Sequence, residues 1–325
     1  MDPKVRKVDY LRVSVTDKCN LRCVYCMPES GIDLKPHIEI LRLEEMAKII
    51  KLAASMGISK IRITGGEPLV RKGIISFIEE VANTPGIEDV SLTTNGILLK
   101  KYGKDLKQAG LDRVNISLDT LKPEKFKEIT RIGNLQEVWS GIHEALKLEL
   151  NPVKINVVVI RDFNYDEILE FVDLTSKLPI HIRFIELMPI GEGESMNSKN
   201  FVSAQEILKL IEEKYPVLPS TNINGAGPAK YISIAKHKGT IGFISAMSDH
   251  FCNKCNRLRL TAEGKIRPCL QSSKEIDIKT MLRYGASDEK LKEIIGEAIM
   301  GKPLQHTMNE EGWKQQNKKM YHIGG

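Results

Sequence analysis

Between Val8 and about Met188, six segments with strand character alternate with amphipathic helical stretches, and no other feature restricts the fold of this chain so strongly. The strand segments are residues 10–15, 60–64, 89–93, 113–118, 154–160 and 182–186. Helical spacing of apolar side chains marks residues 43–53, with Gly57 following as a C-terminal stop, and again residues 73–82, 99–109, 135–149 and 165–176. Repeats of this kind predict an α/β fold with a parallel sheet and right-handed crossovers. Periodicity leaves open whether the sheet is doubly wound or a partly closed barrel. In both cases ligand-handling groups gather at the C-terminal ends of the strands. The segments there are a cysteine-bearing loop after the first strand, Gly65-Gly66-Glu67-Pro68 after the second and Thr94-Asn95-Gly96 after the third.

After Met188 the pattern breaks. Gly191-Glu192-Gly193-Glu194-Ser195 reads as a flexible connection, residues 203–214 as a helix and residues 222–228 as a loop. Short strands are expected at 231–235, 240–245 and 257–261, then two helices, with a domain boundary near Pro219 dividing 1–219 from 220–325. Forty-eight basic against 42 acidic residues leave a net charge of +6, too small an excess for a nucleic-acid-binding face but compatible with a small anionic ligand. No apolar run approaches the roughly 20 residues that span a bilayer, and the charged N-terminus has no signal-like stretch. A cytoplasmic protein without a membrane or nucleic-acid partner is expected.

All six cysteines fall into two groups of three, which in a cytosolic protein points to metal rather than disulfides. Cys19, Cys23 and Cys26 stand as C-x3-C-x2-C. Three thiolates on one short loop can hold three corners of a [4Fe–4S] cluster and leave the fourth iron open for chemistry. A zinc site normally closes with four ligands, and no fourth cysteine or histidine occurs nearby before His37. Cys252, Cys255 and Cys269 form C-x2-C-x13-C. By spacing this second group suits either zinc completed by His250 or another three-thiolate cluster. The Gly-Gly turn allows close backbone approach, and its proline stiffens the exit.

The run Thr16-Asp17-Lys18-Cys19-Asn20-Leu21-Arg22-Cys23-Val24-Tyr25-Cys26, with Gly65-Gly66-Glu67-Pro68 one βα unit later, resembles the radical S-adenosylmethionine superfamily over residues 10–190. The resemblance implies a partial (β/α)6 TIM-type barrel with a smaller C-terminal α+β domain that carries a second Fe–S cluster. It also implies that S-adenosylmethionine binds the open iron of the first [4Fe–4S] cluster. One electron then breaks the sulfur–C5′ bond and releases a 5′-deoxyadenosyl radical, which the barrel must keep dry.

The stretch Asp249-His250-Phe251-Cys252-Asn253-Lys254-Cys255-Asn256-Arg257-Leu258-Arg259-Leu260-Thr261 and the terminal Gly324-Gly325 are similar to the GTP 3′,8-cyclase family of molybdenum-cofactor biosynthesis. In that family the radical takes hydrogen from ribose C3′, C3′ adds to guanine C8, and reduction yields 3′,8-cyclo-7,8-dihydro-GTP. Carried over, Tyr25, Gly66, Ser117 and Met188 line the S-adenosylmethionine site, and Arg12, Arg62, Thr93, Lys154, Arg257 and Arg259 contact GTP. The second [4Fe–4S] cluster meets the guanine base, and Gly324 and Gly325 enter the barrel and are needed for activity. Arg183, a strand arginine among apolar neighbours, is expected to reach the substrate rather than pair with Glu186.

Independently of the family, Arg257 and Arg259 alternate along a strand and so face one side. Each planar fork suits phosphate. One such contact brings about 4 kcal/mol of raw Coulomb attraction at an effective dielectric of about 20, so a triphosphate needs several. The implied partners are GTP, a downstream cyclic pyranopterin monophosphate synthase and a reducing protein of flavodoxin or ferredoxin type. A homodimer is compatible with the sequence, which does not decide the oligomeric state. The rival readings are a radical enzyme that modifies a peptide or metabolite with an auxiliary electron-transfer cluster, and a colourless two-zinc binding protein.

Overall fold

A computed structural model describes residues 6–32, 35–190, 198–220, 227–306, 308 and 319–323. In chain order the first half contains β1 (Tyr10–Ser14), α1 (Leu43–Ser55), β2 (Lys60–Thr64), α2 (Ile74–Ala82), β3 (Asp89–Thr94), α3 (Leu99–Gln108), β4 (Arg113–Ser117), α4 (Pro123–Thr130) and α5 (Leu135–Lys147). There follow β5 (Lys154–Val159), α6 (Arg161–Asn164), α7 (Ile168–Lys177), β6 (His181–Glu186), α8 (Ala204–Glu212), β7 (Val217–Ser220), β8 (Lys230–Ile234) and β9 (Thr240–Ile244). The chain continues with β10 (Arg257–Leu260), β11 (Lys265–Arg267), β12 (Ile276–Asp277), α9 (Ile278–Arg283), α10 (Asp288–Met300) and α11 (Met320–Ile323).

Local chemistry sets the ends of several helices. In α1 the Glu45 carboxylate accepts the Arg42 N–H at 2.7 Å, while Met46, Ile49, Ile50 and Ala53 turn inward. Asn134, Ser203 and Ser287 cap α5, α8 and α10 by accepting backbone N–H groups two or three residues on. Helix α4, absent from the sequence reading, starts on Pro123 and buries only Phe126, Ile129 and Thr130. Its apolar pattern is too short to stand out; the proline at its first position is the available signal.

Among the described residues twelve strands join in one sheet, ordered β12-β11-β10-β1-β2-β3-β4-β5-β6-β9-β8-β7. The run from β10 through β1 to β6 and on to β9 is parallel, and the outer pairs are antiparallel. The α/β class and the six central strands match expectation, but the parallel run is longer by β10 and β9, both from beyond residue 219. Neighbour choice across a sheet depends on packing, which periodicity along one segment does not encode. Pro219 lies inside β7, opposite Ile232, at the outer edge of the sheet, where a strand tolerates a residue without an N–H. The sheet is therefore continuous across the expected boundary. Strands β1 to β6 mostly alternate apolar with polar or charged residues, as in Lys60-Ile61-Arg62-Ile63-Thr64, and their apolar face meets α1, α2, α3, α5 and α7 in a common core. The Gly191–Ser195 connection and the terminal glycines lie outside the described residues. No helix among the described residues is long and apolar enough to cross a membrane.

Candidate active site

The loop after β1 is held by its own backbone and by α4. Cys26 and Met27 N–H groups both donate to Cys23 O at 2.9 Å, and Arg22 and Val24 N–H groups donate to Thr130 O and Ile129 O at 3.1 and 2.9 Å. Arg131 follows α4 at φ 64°, a region disfavoured for a residue with a side chain. From there its guanidinium donates to Arg22 O at 2.8 Å and Met27 O at 2.9 Å. The Cys19 sulfur accepts the Leu21 N–H at 3.3 Å and the Asn95 amide at 3.9 Å. Burial pushes the Cys19 thiol up to about 11. Cys23 is also raised, by burial first and then by Cys26, Asp119 and Cys19. Three thiolates crowded on this loop accordingly need a cationic partner.

Gly65 and Gly66 bring the β2 turn against the root of that loop. Gly66 N–H donates to Thr16 O at 2.7 Å and Glu67 N–H to Lys18 O at 2.8 Å. A Cβ on Gly66 would lie 2.4 Å from Lys18 O and one on Gly65 2.5 Å from Thr16 O. The glycines thus admit the chain's own backbone. The Glu67 carboxylate beneath them accepts Leu69 N–H at 3.0 Å, Asn95 N–H at 2.7 Å and the Thr94 hydroxyl. Burial nonetheless pushes it up to about 7.

Register gathers the cations. Arg259, Arg12 and Arg62 are direct neighbours across β10, β1 and β2. All three are buried. Burial, reinforced by neighbouring guanidiniums, lowers Arg12 well below its usual range and Arg259 to about 10. Arg183 is lowered to about 10, again chiefly by burial. It donates to Asn115 Oδ1. Glu186 is occupied elsewhere, accepting Ala204, Met247 and Ser248 N–H groups at 2.9, 2.8 and 2.9 Å. The two side chains are three residues apart on one strand and so face opposite sides.

Around the second cysteine group, burial opposes ionisation of Cys255, but Arg257 and Lys302 outweigh it and bring the thiol down to about 6. Arg257 lies over the Phe251 ring, 5.1 Å from its centroid. His250 packs edge-on against His306 with ring centroids 4.2 Å apart.

A cavity of about 340 Å³ joins these parts. Both cysteine trios border it, as do Tyr25, Gly66, Ser117, Met188, Arg12, Arg62, Thr93, Arg183, Arg257 and Arg259. Side chains from β10 and from Ile244 at the end of β9 face the same space, so the sheet curls around it. Lys154 is buried but is not in the lining. Gly324 and Gly325 lie outside the described residues, yet the tail leads there. Met320 and Tyr321 border the cavity, Ile323 packs with Ile190 and Met308, and Arg259 donates to Ile323 O at 3.3 Å. Sequence reading missed Asp119, which accepts the Tyr25 hydroxyl at 2.6 Å, and Tyr10, Asn156 and Lys302, which also border the cavity. The Asp119 position, two residues beyond Ser117 at a strand end, was the signal available.

The lining fits polar ligands. Tyr10 Oη, Thr93 Oγ1, Asn156 Oδ1 and Arg183 Nε are buried without a hydrogen-bond partner, an arrangement that a bound nucleotide would relieve. Among the described residues no three His, Cys, Asp or Glu side chains are grouped to hold a single metal ion. Each trio instead borders the common cavity, the side on which a cluster would sit.

Comparison with known proteins agrees with this geometry. The family described as "Radical SAM superfamily" matches residues 13–175, and that described as "Molybdenum Cofactor Synthesis C" matches residues 180–308. In fold, the chain is similar to Streptococcus suis SuiB bound to S-adenosylmethionine, with a TM-score of 0.60 at 16% identity over 96% of this chain and 75% of that one. A GTP 3′,8-cyclase of Heliobacterium modesticaldum is 55% identical over 326 aligned positions, covering 100% of both chains. One from Desulforamulus reducens is 54% identical over 321 positions, covering 98% of each. With that identity over almost the whole length of each chain, the chain belongs to the GTP 3′,8-cyclase family of the radical S-adenosylmethionine superfamily.

Proposed function

We propose that this cavity is where the chain carries out its family's reaction. That reaction is the radical S-adenosylmethionine-dependent cyclisation of GTP to (8S)-3′,8-cyclo-7,8-dihydroguanosine 5′-triphosphate, the first step of molybdenum-cofactor biosynthesis. In this reading the curled sheet is a partial (β/α)6 TIM-type barrel. Residues 1–219 generate the radical, and residues 220–325 carry the auxiliary cluster and the tail, within one continuous sheet.

Cys19, Cys23 and Cys26 would hold the first [4Fe–4S] cluster, and Cys252, Cys255 and Cys269 the second. When bound, the clusters and S-adenosylmethionine supply the electrons and the hydrogen-abstracting group. Tyr25, Gly66, Ser117 and Met188 orient S-adenosylmethionine, with Asp119 fixing the Tyr25 hydroxyl. Arg12, Arg62, Arg257 and Arg259 grip the triphosphate, with Lys154 behind them and Thr93 offering its unpartnered hydroxyl to the nucleotide. Arg183 directs its unpartnered Nε towards the substrate, and Gly324 and Gly325 are needed for activity. A flavodoxin- or ferredoxin-type reductant, a cyclic pyranopterin monophosphate synthase that takes the product, a cytoplasmic setting and a homodimer complete the proposal.

The observation that carries it is that both thiol trios and the arginine row open on one cavity. The test is anaerobic turnover of iron–sulfide-reconstituted protein with dithionite, S-adenosylmethionine and GTP, read by mass spectrometry. 5′-Deoxyadenosine is expected in step with a product isomeric with GTP. Its formation while GTP stays intact would remove GTP as the substrate of this site.

A further inference from the structure

The segment that leaves α10 wraps the second cysteine group. Lys302, partly buried, donates from Nζ to Arg257 O at 2.7 Å and to Pro268 O at 2.8 Å. The first carbonyl lies two residues beyond Cys255, and the second belongs to the residue before Cys269. Its charge also acts on the neighbouring Cys255 thiol. An ammonium has three donors, and two of Lys302's are spent on this one group. The remaining ligand is tied in from the other side. Arg6 donates to Cys252 O and to Pro303 O, with a longer bond of 3.4 Å to Lys302 O. Three backbone segments far apart in sequence are thus held at one point by side chains that are not themselves ligands.

We propose that Lys302, seconded by Arg6, is a positioning residue for the second cysteine group, clamping its two ligand-bearing segments and setting the potential of the cluster they hold. With two of its donors spent on carbonyls beside the ligands, Lys302 is turned to the cysteine group rather than to a triphosphate. Its role is therefore distinct from that of Arg257 and Arg259. A positive charge beside a cluster favours its reduced, more negative state. Removing it drives the potential down. The inference rests on the reading that the second trio holds a [4Fe–4S] cluster, and the test separates the two.

Full-length wild type, Lys302→Met and Lys302→Arg are reconstituted anaerobically, then assayed for iron and sulfide and titrated redox-metrically with EPR detection. Wild type is expected to hold about eight irons. In Lys302→Met the second cluster is expected to titrate at a more negative potential or to be lost, with about four irons remaining, while the EPR signal of the first cluster stays in place. Lys302→Arg, which keeps charge and several donors, restores the wild-type values. Full iron with an unshifted second potential in Lys302→Met overturns the inference alone. So does a Lys302→Arg variant as defective as Lys302→Met, since that would reduce the residue to shape. Wild type loading only about four irons overturns the two-cluster reading and this inference with it.

Discussion

At the scale of single residues, Lys154 shows how the site is primed for an anion. Burial, then Arg183, Arg113 and Arg62, lower its ammonium to about 6 against a small opposing effect of Asp89. Its folded pKa lies below the unfolded value of 10.5, so the associated stability is present above that value and is lost as pH falls towards 6. Ligand-free protein should therefore lose denaturation free energy over this window, and Lys154→Met should flatten the slope. A triphosphate beside these cations reverses the imbalance and raises the lysine pKa, so GTP binding at pH 7 to 8 should take up a proton. Calorimetry in two buffers of different ionisation enthalpy will show it as unequal apparent heats. Equal heats in wild type would mean that Lys154 does not sense the nucleotide. The role of Lys154 came from family resemblance, because a lysine at a strand start reads as a solvated cation until its neighbours on other strands are known. By contrast, the separation of Arg183 from Glu186 was legible from strand alternation alone.

At the scale of elements, the Gly-Gly turn and α4 together build the cysteine loop. Gly66→Ala would set a methyl 2.4 Å from Lys18 O and 2.7 Å from Asp17 O, both backbone atoms that cannot swing aside. A loss of about 1–3 kcal/mol in chemical denaturation is expected from such overpacking, together with reduced iron retention at the first site. Gly57→Ala is the control. At φ 94° it meets nothing within 4 Å, so it should cost only the backbone penalty of about 1 kcal/mol and keep its iron. Wild-type stability and iron in Gly66→Ala would show that the loop root relaxes freely. The glycines were visible in the sequence as a motif, but their reason was not, since the atoms they admit lie one βα unit earlier. Helix α4 escaped for a related cause. Most of what it contributes is its C-terminal carbonyls and the clamp of Arg131, which leave no apolar periodicity to read.

At the scale of the whole molecule, the unbroken β1-to-β6 order was left open by periodicity, whereas the six central strands were legible because each belongs to a βα repeat. The two outer parallel strands were not, because β10 and β9 reach β1 and β6 across long stretches of chain. A chain ended at Pro219 would expose β1 and β6 as open edges of a sheet whose parallel pairing makes flanking neighbours obligatory. It is expected to associate and to melt without cooperativity, as gel filtration and circular dichroism would show. A monomeric fragment with a sharp melt would instead establish that the first 219 residues fold alone.

The pairing of β1 with β10 also has a bearing on how the molecule is born. The thiols of the first trio leave the ribosome well before the strand that flanks β1 on its other side, which follows more than two hundred residues later in the order of synthesis. A nascent or clipped chain can thus own the loop for the first cluster while lacking the wall that would shield it. The chamber gains this wall only once β10 has been made, so the loop precedes its shield in the order of synthesis.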